Sequence, residues 1–153
     1  MAEGHKDYSG TPLWKKLGMR QGSRIVLIGA PTAFEDSLEQ QAPLPPEVVF
    51  LTRVTKGIDV GVLFTTEHRV LERRFGPLAR SLDLSGRLWV AWPKKASDVE
   101  TDLTFRIVQQ HGLEAGLVDN KTASITDVFQ GCQFVVRLKD RRPERARDRE
   151  RDR

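Results

Sequence analysis

The segment Trp92-Pro93-Lys94-Lys95-Ala96-Ser97 combines an aromatic ring, two adjacent amines and a hydroxyl just ahead of an expected helix start. Free N–H groups and the helix dipole favour an anion at such a place. A phosphate or carboxylate held by Lys94, Lys95 and Ser97 is the chemistry this pattern suggests. Solvated lysines beside a capping serine are its plainer reading. Glu67 and His68 are a second candidate pair, since imidazole titrates near neutrality and can exchange protons with a substrate. The same two residues also suit an ordinary helix start. Cys132 stands alone in the chain and lies between Gly131 and Gln133. A buried, inert thiol is the expectation, because nothing nearby would activate it.

Other chemistries lack their residues. There is no GxSxG elbow, no GxxxxGK[ST] phosphate loop and no HExxH pair. His5, His68 and His111 have no metal-ligand spacing, and no histidine clusters with the cysteine, so no metal is expected. Asp98, Glu100 and Asp102 read as acids of a helix's first turn. Trp14 and Trp89 read as core. Trp92, at a strand's end, is the tryptophan that can line a pocket.

These residues need a scaffold. Thr11, Pro12 and Gly18 are read as the cap, first position and exit of a short helix with Leu13, Trp14 and Leu17 inside. Residues 24–29, 47–51, 59–64 and 86–92 are mostly apolar and read as buried strands. Between them, Thr32-x-x-Glu35 and Ser97-x-x-Glu100 resemble capping boxes. The first is expected to open a helix through about Gln41. The second is expected to open one carrying Val99, Leu103 and Ile107 to Gly112. Thr66 is expected to cap a helix from Glu67, broken or kinked at Gly76-Pro77. Residues 117–126 and 133–138 read as a final antiparallel hairpin joined by a loop containing Gln130-Gly131, because no helix fits between them.

Strands alternating with helices imply an α/β, Rossmann-like three-layer fold. Its sheet has about six strands, mostly parallel, and ends in an antiparallel β-hairpin. Ligands of such sheets bind beyond the carboxyl ends of the strands. That edge gathers Thr32, Thr66, Glu67, His68, Trp92, Lys94, Lys95, Ser97, Thr101 and Asp102.

Composition bounds the rest. The 153 residues carry 25 Lys+Arg and 21 Asp+Glu, a net charge of +4. Half of that excess lies in residues 140–153, a mixed Arg/Asp/Glu tail; residues 1–139 are almost balanced. The expected organisation is a flexible 1–7, one domain over 8–139, and a disordered or helical tail over 140–153. A tail of alternating sign pulls weakly on phosphates, so nucleic acid is a partner only through it. No apolar run reaches a membrane span and the polar N-terminus is no signal peptide, so a cytoplasmic protein without a membrane partner is expected.

The segments YSGTPLWKKLG, RIVLIGAP, LWVAWPKKAS with VETDLT, and GLVDNKTASITDVFQGCQFVVRL strongly resemble the bacterial domain-of-unknown-function family 3052. The resemblance spans about Tyr8 to Leu138. It implies an intact family member and carries no catalytic residue with it. LGMRQGSRIVLIGAP is more loosely similar to the lead-in of class I methyltransferases. Those enzymes follow strand one with a glycine-rich turn and end strand two with an acid. Here Gly29-Ala30-Pro31 and Leu51-Thr52-Arg53 stand in those places. Nucleotide or S-adenosylmethionine binding is therefore conceivable by fold, but its signatures are absent, and no cofactor is expected.

The leading expectation is a non-catalytic binding or regulatory module with an anion-binding loop, serving a small anionic ligand or a protein partner. One alternative is a diverged, methyltransferase-like transferase acting on an anionic substrate, with Glu67 or His68 as base. The other is a nucleic-acid-associated protein using its tail.

Overall fold

The computed structural model describes residues 10–141; the expectations for the N-terminal segment and most of the Arg-rich tail lie outside them. The elements in chain order are α1 (Leu13–Leu17), β1 (Arg24–Ile28), α2 (Phe34–Gln41), β2 (Val49–Phe50), β3 (Ile58–Phe64), α3 (His68–Ser81), β4 (Leu82–Pro93), α4 (Phe105–Glu114), β5 (Leu117–Ser124) and β6 (Phe129–Val136). They build a six-stranded sheet in the order β2-β1-β3-β4-β6-β5. The first four strands are parallel, and β6 runs antiparallel to both β4 and β5. This is the expected Rossmann-like α/β sheet with an antiparallel end.

Alternation along the strands divides the core in two. Leu88, Val90 and Trp92 of β4 face Leu71, Phe75 and Leu78 of α3 and Val108 of α4. Trp89 and Ala91 face Leu13 and Leu17 of α1 and Phe34 and Leu38 of α2. Trp89 is fully buried and donates its indole N–H to the Leu17 carbonyl at 3.0 Å, which satisfies its one polar atom. Gly112 on α4 is a close-approach point: a Cβ there would stand 2.1 Å from the Phe134 ring.

Several local expectations are corrected. Pro12 flanks α1 in extended conformation instead of occupying its first turn, and the Leu13 N–H is taken by the Gln41 side chain at 2.9 Å. Thr32 does not cap α2. The position before that helix is Ala33, left-handed at φ 68, and this turn brings Phe34 inward onto Phe64 with ring centroids 5.0 Å apart. The strand expected over 47–51 is only Val49–Phe50 and half-exposed, because β2 is the sheet's edge and pairs with β1 alone. Thr66 does not cap α3; Asp102, distant in sequence, does, its carboxylate accepting the His68 N–H at 2.7 Å. Gly76-Pro77 does not break that helix, which continues to Ser81 because buried Phe75 and Leu78 hold both sides of the proline on the sheet. The Gln130-Gly131 pair lies within β6, paired with β4 and β5, and the hairpin turn precedes it.

The largest correction concerns Ser97. No α-helix begins there. Residues 95–97 form a single 3-10 turn, residues 98–104 are non-helical, and α4 starts at Phe105, capped by Thr104, whose hydroxyl accepts the Ile107 N–H at 3.2 Å. Tertiary contacts beat local capping chemistry, since Thr101 and Asp102 are claimed by the end of β3. Asp98, Glu100 and Asp102 are accordingly loop residues, not first-turn acids.

Candidate functional site

β4 is buried along its second half and delivers Trp92 and Pro93 to the carboxyl edge of the sheet. The chain then leaves through Lys94. The Lys94 N–H bonds the Val128 carbonyl at 2.7 Å, and its ammonium donates to Ser124 Oγ at 2.7 Å. Ser97 turns back, donating its hydroxyl to the Lys94 carbonyl at 2.7 Å and accepting the Val99 N–H at 3.2 Å. Asp98 completes the turn in the left-handed region, φ 61.

The loop is then fastened to the end of β3. Thr101 donates its hydroxyl to the Thr66 carbonyl at 2.6 Å and accepts the Leu103 N–H at 3.1 Å. The Asp102 N–H reaches the same carbonyl at 3.3 Å while its carboxylate caps α3. With the loop held open by these bonds, a cavity of about 790 Å³ lies between the end of β4, the 94–104 loop and the first turn of α4.

Trp92 and Leu103 supply buried apolar surface, and the Trp92 and Phe105 ring centroids lie 6.5 Å apart with a 37° tilt. Val99 and Phe105 both line the cavity and are 42% and 41% exposed, which leaves their apolar surface open to a ligand. Lys94, Lys95 and Arg106 line it together with the carboxylates Asp98 and Glu100. Among the described residues the Lys95 and Arg106 side chains hold no hydrogen-bond partner, whereas Lys94 is committed to Ser124. Gln130 lines the cavity from β6 and donates to the Pro93 carbonyl at 3.1 Å.

Of the residues singled out from sequence, Trp92, Lys94, Lys95 and Thr101 line this cavity, while Ser97 and Asp102 shape it through the bonds above. Thr66 takes part through its carbonyl. Thr32 is exposed at the β1–α2 turn and does not line the cavity. Nor do Glu67 and His68. Glu67 Oε1 is bonded to Arg69 at 2.5 Å. His68 faces Glu72 at 3.7 Å and lines a different hollow, between α3 and α4, with His111. Burial lowers the His111 pKa from its ordinary value, with nearby Glu72 opposing the shift, and its ring packs edge-on against Phe75.

Val99, Phe105, Arg106 and Gln130 were not foreseen as site residues. Phe105 shares its α4 face with buried Val108 and Gly112 by spacing, so helical periodicity alone reads it as core; it is exposed because it stands in the first turn, beside the cavity. Cys132 is buried in the middle of β6, and burial, with the Asp119 charge adding to it, pushes its thiol up to about 12. Among the described residues no group of His, Cys, Asp and Glu could hold a metal ion, and no helix is long and apolar enough to cross a membrane.

No family model and no curated relative matches the chain, so the resemblance to family 3052 gains no support from those comparisons. Solved structures do match. A precorrin-6y C5,15-methyltransferase from Geobacter metallireducens GS-15 aligns with a TM-score of 0.57 at 9% identity, over 82% of this chain and 86% of its own. Magnesium protoporphyrin IX methyltransferase from Synechocystis PCC 6803, with bound SAM, aligns at 0.56 and 10% identity, over 82% and 74%. A TehB-like SAM-dependent methyltransferase from Corynebacterium glutamicum ATCC 13032 Kitasato aligns at 0.52 and 12%, over 82% and 85%. The fold is the Rossmann-like fold of the SAM-dependent methyltransferases.

The turn after β1 does not fit a glycine-rich cofactor seat. Gly29 is left-handed at φ 71, and a Cβ there would meet the Phe64 carbonyl at 2.5 Å, so this glycine serves the packing of β1 on β3. Pro31 has no N–H to offer, and its carbonyl is taken by the Phe34 N–H at 3.0 Å. Phe34, Phe64 and Phe129 pack edge to face beside it, with centroids 5.0 and 5.3 Å apart. No carboxylate follows β2, where Thr52 and Arg53 are exposed.

Proposed function

We propose that the chain is a diverged, methyltransferase-like transferase that binds a ring-bearing anionic substrate in the cavity between β4 and α4. The observation carrying this reading is that cavity: an exposed Phe105 ring beside buried Trp92, with two uncommitted cations, Lys95 and Arg106, at the carboxyl edge of the sheet. Its volume of about 790 Å³ lies within the ~300–1,000 Å³ range of small-molecule sites. The exposed Phe105 ring takes one face of a planar ring, and buried Trp92 backs the apolar wall behind it. Lys95 and Arg106 meet the acidic group, and Lys94, tied to Ser124, holds the rim in place. Asp98 and Glu100 are the proton acceptors the cavity itself supplies.

A transferase is favoured over a non-catalytic module by the methyltransferase neighbours of the fold. The β1 turn favours the second reading, a binding module that uses the same cavity without turnover. S-adenosylhomocysteine carries both a ring and a carboxylate and is a suitable probe for either. Titration calorimetry of the full chain is expected to give saturable binding that Phe105→Ala weakens about tenfold, the loss of one stacking partner and its buried area. Unchanged affinity in that variant would remove the cavity from the account. Methyl transfer from S-adenosylmethionine to an added acceptor then separates the transferase from the module.

A further inference from the structure

The opposite edge of the sheet carries a second polar hollow. It encloses about 190 Å³ where β1 begins and is lined by Gly18, Arg20, Ser23, Asp59, Ser85 and Arg87 among others. Two arginines from distant parts of the chain, Arg20 and Arg87, line it, and a third, Arg141, adds its charge from nearby. Arg20 comes from the turn after α1. Arg87 lies in β4 on the α1 side. Arg141 follows β6, which runs antiparallel to β4 and so leaves the sheet at this same edge. The Arg141 Nε–H is fixed to the Val136 carbonyl at 2.9 Å.

Arg87 is the unusual member. It is half-buried, and among the described residues its guanidinium has neither a hydrogen bond nor an ion pair. Burial lowers its proton affinity first, and the charges of Arg20 and then Arg141 lower it further. Room is made for it: a Cβ on Gly18 would stand 2.3 Å from Arg87 Cδ. The one acid of the hollow, Asp59, accepts the Arg24 N–H at 2.8 Å and forms no ion pair with Arg20 or Arg87. A half-buried fork with no protein partner, its donors left to water and like charges beside it, is poorly compensated in the free protein. A bound dianion would reverse each of those terms, and the guanidinium fork matches phosphate geometry.

We propose that this hollow is an anion site for the phosphate group of a small molecule, held by Arg87 and Arg20, with the charge of Arg141 adding to the field. Its small volume suits a phosphate group and little more, which favours a compact ligand over a nucleic-acid backbone. The site is separate from the β4–α4 cavity, so either can fail alone.

The test is titration of the full chain with inorganic phosphate at constant ionic strength, following the arginine Nε–H NMR signals. The expected result is a saturable shift of the Arg87 signal and a rise in melting temperature. Arg20→Gln is expected to weaken binding about tenfold, the usual loss for one charge-assisted hydrogen bond, and Arg141→Gln to weaken it less, through the lost charge alone. Arg87→Lys, which keeps the charge and loses the fork, is expected to bind poorly. Arg73→Gln, exposed on α3, should bind as the parent does. A response that chloride reproduces, no saturable shift, or parental affinity in the Arg20 variant would overturn the proposal. So would Arg87-dependent binding of a single-stranded RNA without any phosphate response.

Discussion

Replacing Thr101 with valine isolates the clamp that holds the candidate site open. Valine keeps the shape and removes the hydroxyl. Two bonds go with it: the donation to the Thr66 carbonyl at 2.6 Å and the acceptance of the Leu103 N–H at 3.1 Å. An ordinary hydrogen bond contributes about 1 kcal/mol net, and an unpaired buried donor costs ~1–3 kcal/mol. The Thr66 carbonyl keeps the Asp102 N–H at 3.3 Å, which limits the loss on that side. The Leu103 N–H has no such substitute, and its own side chain is 4% exposed. The expected destabilisation is about 2 kcal/mol. In a chain of this length that corresponds to roughly 4–8 °C in melting temperature. Thermal and denaturant melts measure it, and amide hydrogen exchange should localise the loosening to residues 98–104. Thr101→Ser, which restores the hydroxyl, should recover most of the loss. A change within ~0.5 kcal/mol, the range of an ordinary surface substitution, with unaltered exchange in the loop, would refute the clamp.

Other consequences are as direct. The Cys132 thiol, held up near 12 by burial and the Asp119 charge, should not react with a thiol reagent at pH 8 until the chain unfolds. Above about pH 9 the unfolded thiol ionises while the folded one stays protonated. The folded state then binds more protons, and stability should fall by about 1.4 kcal/mol per pH unit between roughly 9 and 12, a slope that Cys132→Ala abolishes. Gly112→Ala forces a Cβ to within 2.1 Å of the Phe134 ring and should cost about 1–3 kcal/mol of stability by denaturant melting. His111, its pKa lowered chiefly by burial, should titrate below its ordinary value by NMR, and the stability it contributes should be lost as pH falls from 6.5 through that lower value.

The architecture was legible where one physical signal dominates. The runs 24–29 and 59–64 read as buried strands and form β1 and β3, and the short link between the last two strands left no room for a helix. Local capping patterns misled because the same residues serve tertiary bonds. Thr32 gave way to a left-handed Ala33 that places Phe34 on Phe64. Ser97 spends its hydroxyl on the Lys94 carbonyl in a 3-10 turn, and Asp102 reaches across the fold to cap α3. Val99, Leu103 and Ile107 had helical spacing, yet only Ile107 lies in α4. The lysine loop was visible as a loop, but its neighbours Phe105, Arg106 and Gln130 were not. Their approach depends on where α4 begins and on the β4–β6 register, neither of which is written in local sequence.

The central claim is that ligand binding takes place between β4 and α4 and not at the turn after β1. An NMR titration of the uniformly labelled full chain with S-adenosylhomocysteine tests it most directly. The account expects saturable amide shifts concentrated in residues 92–106 and at Gln130, with residues 29–34 unmoved. Shifts centred on Gly29 to Phe34, or no saturable shift anywhere, would contradict it.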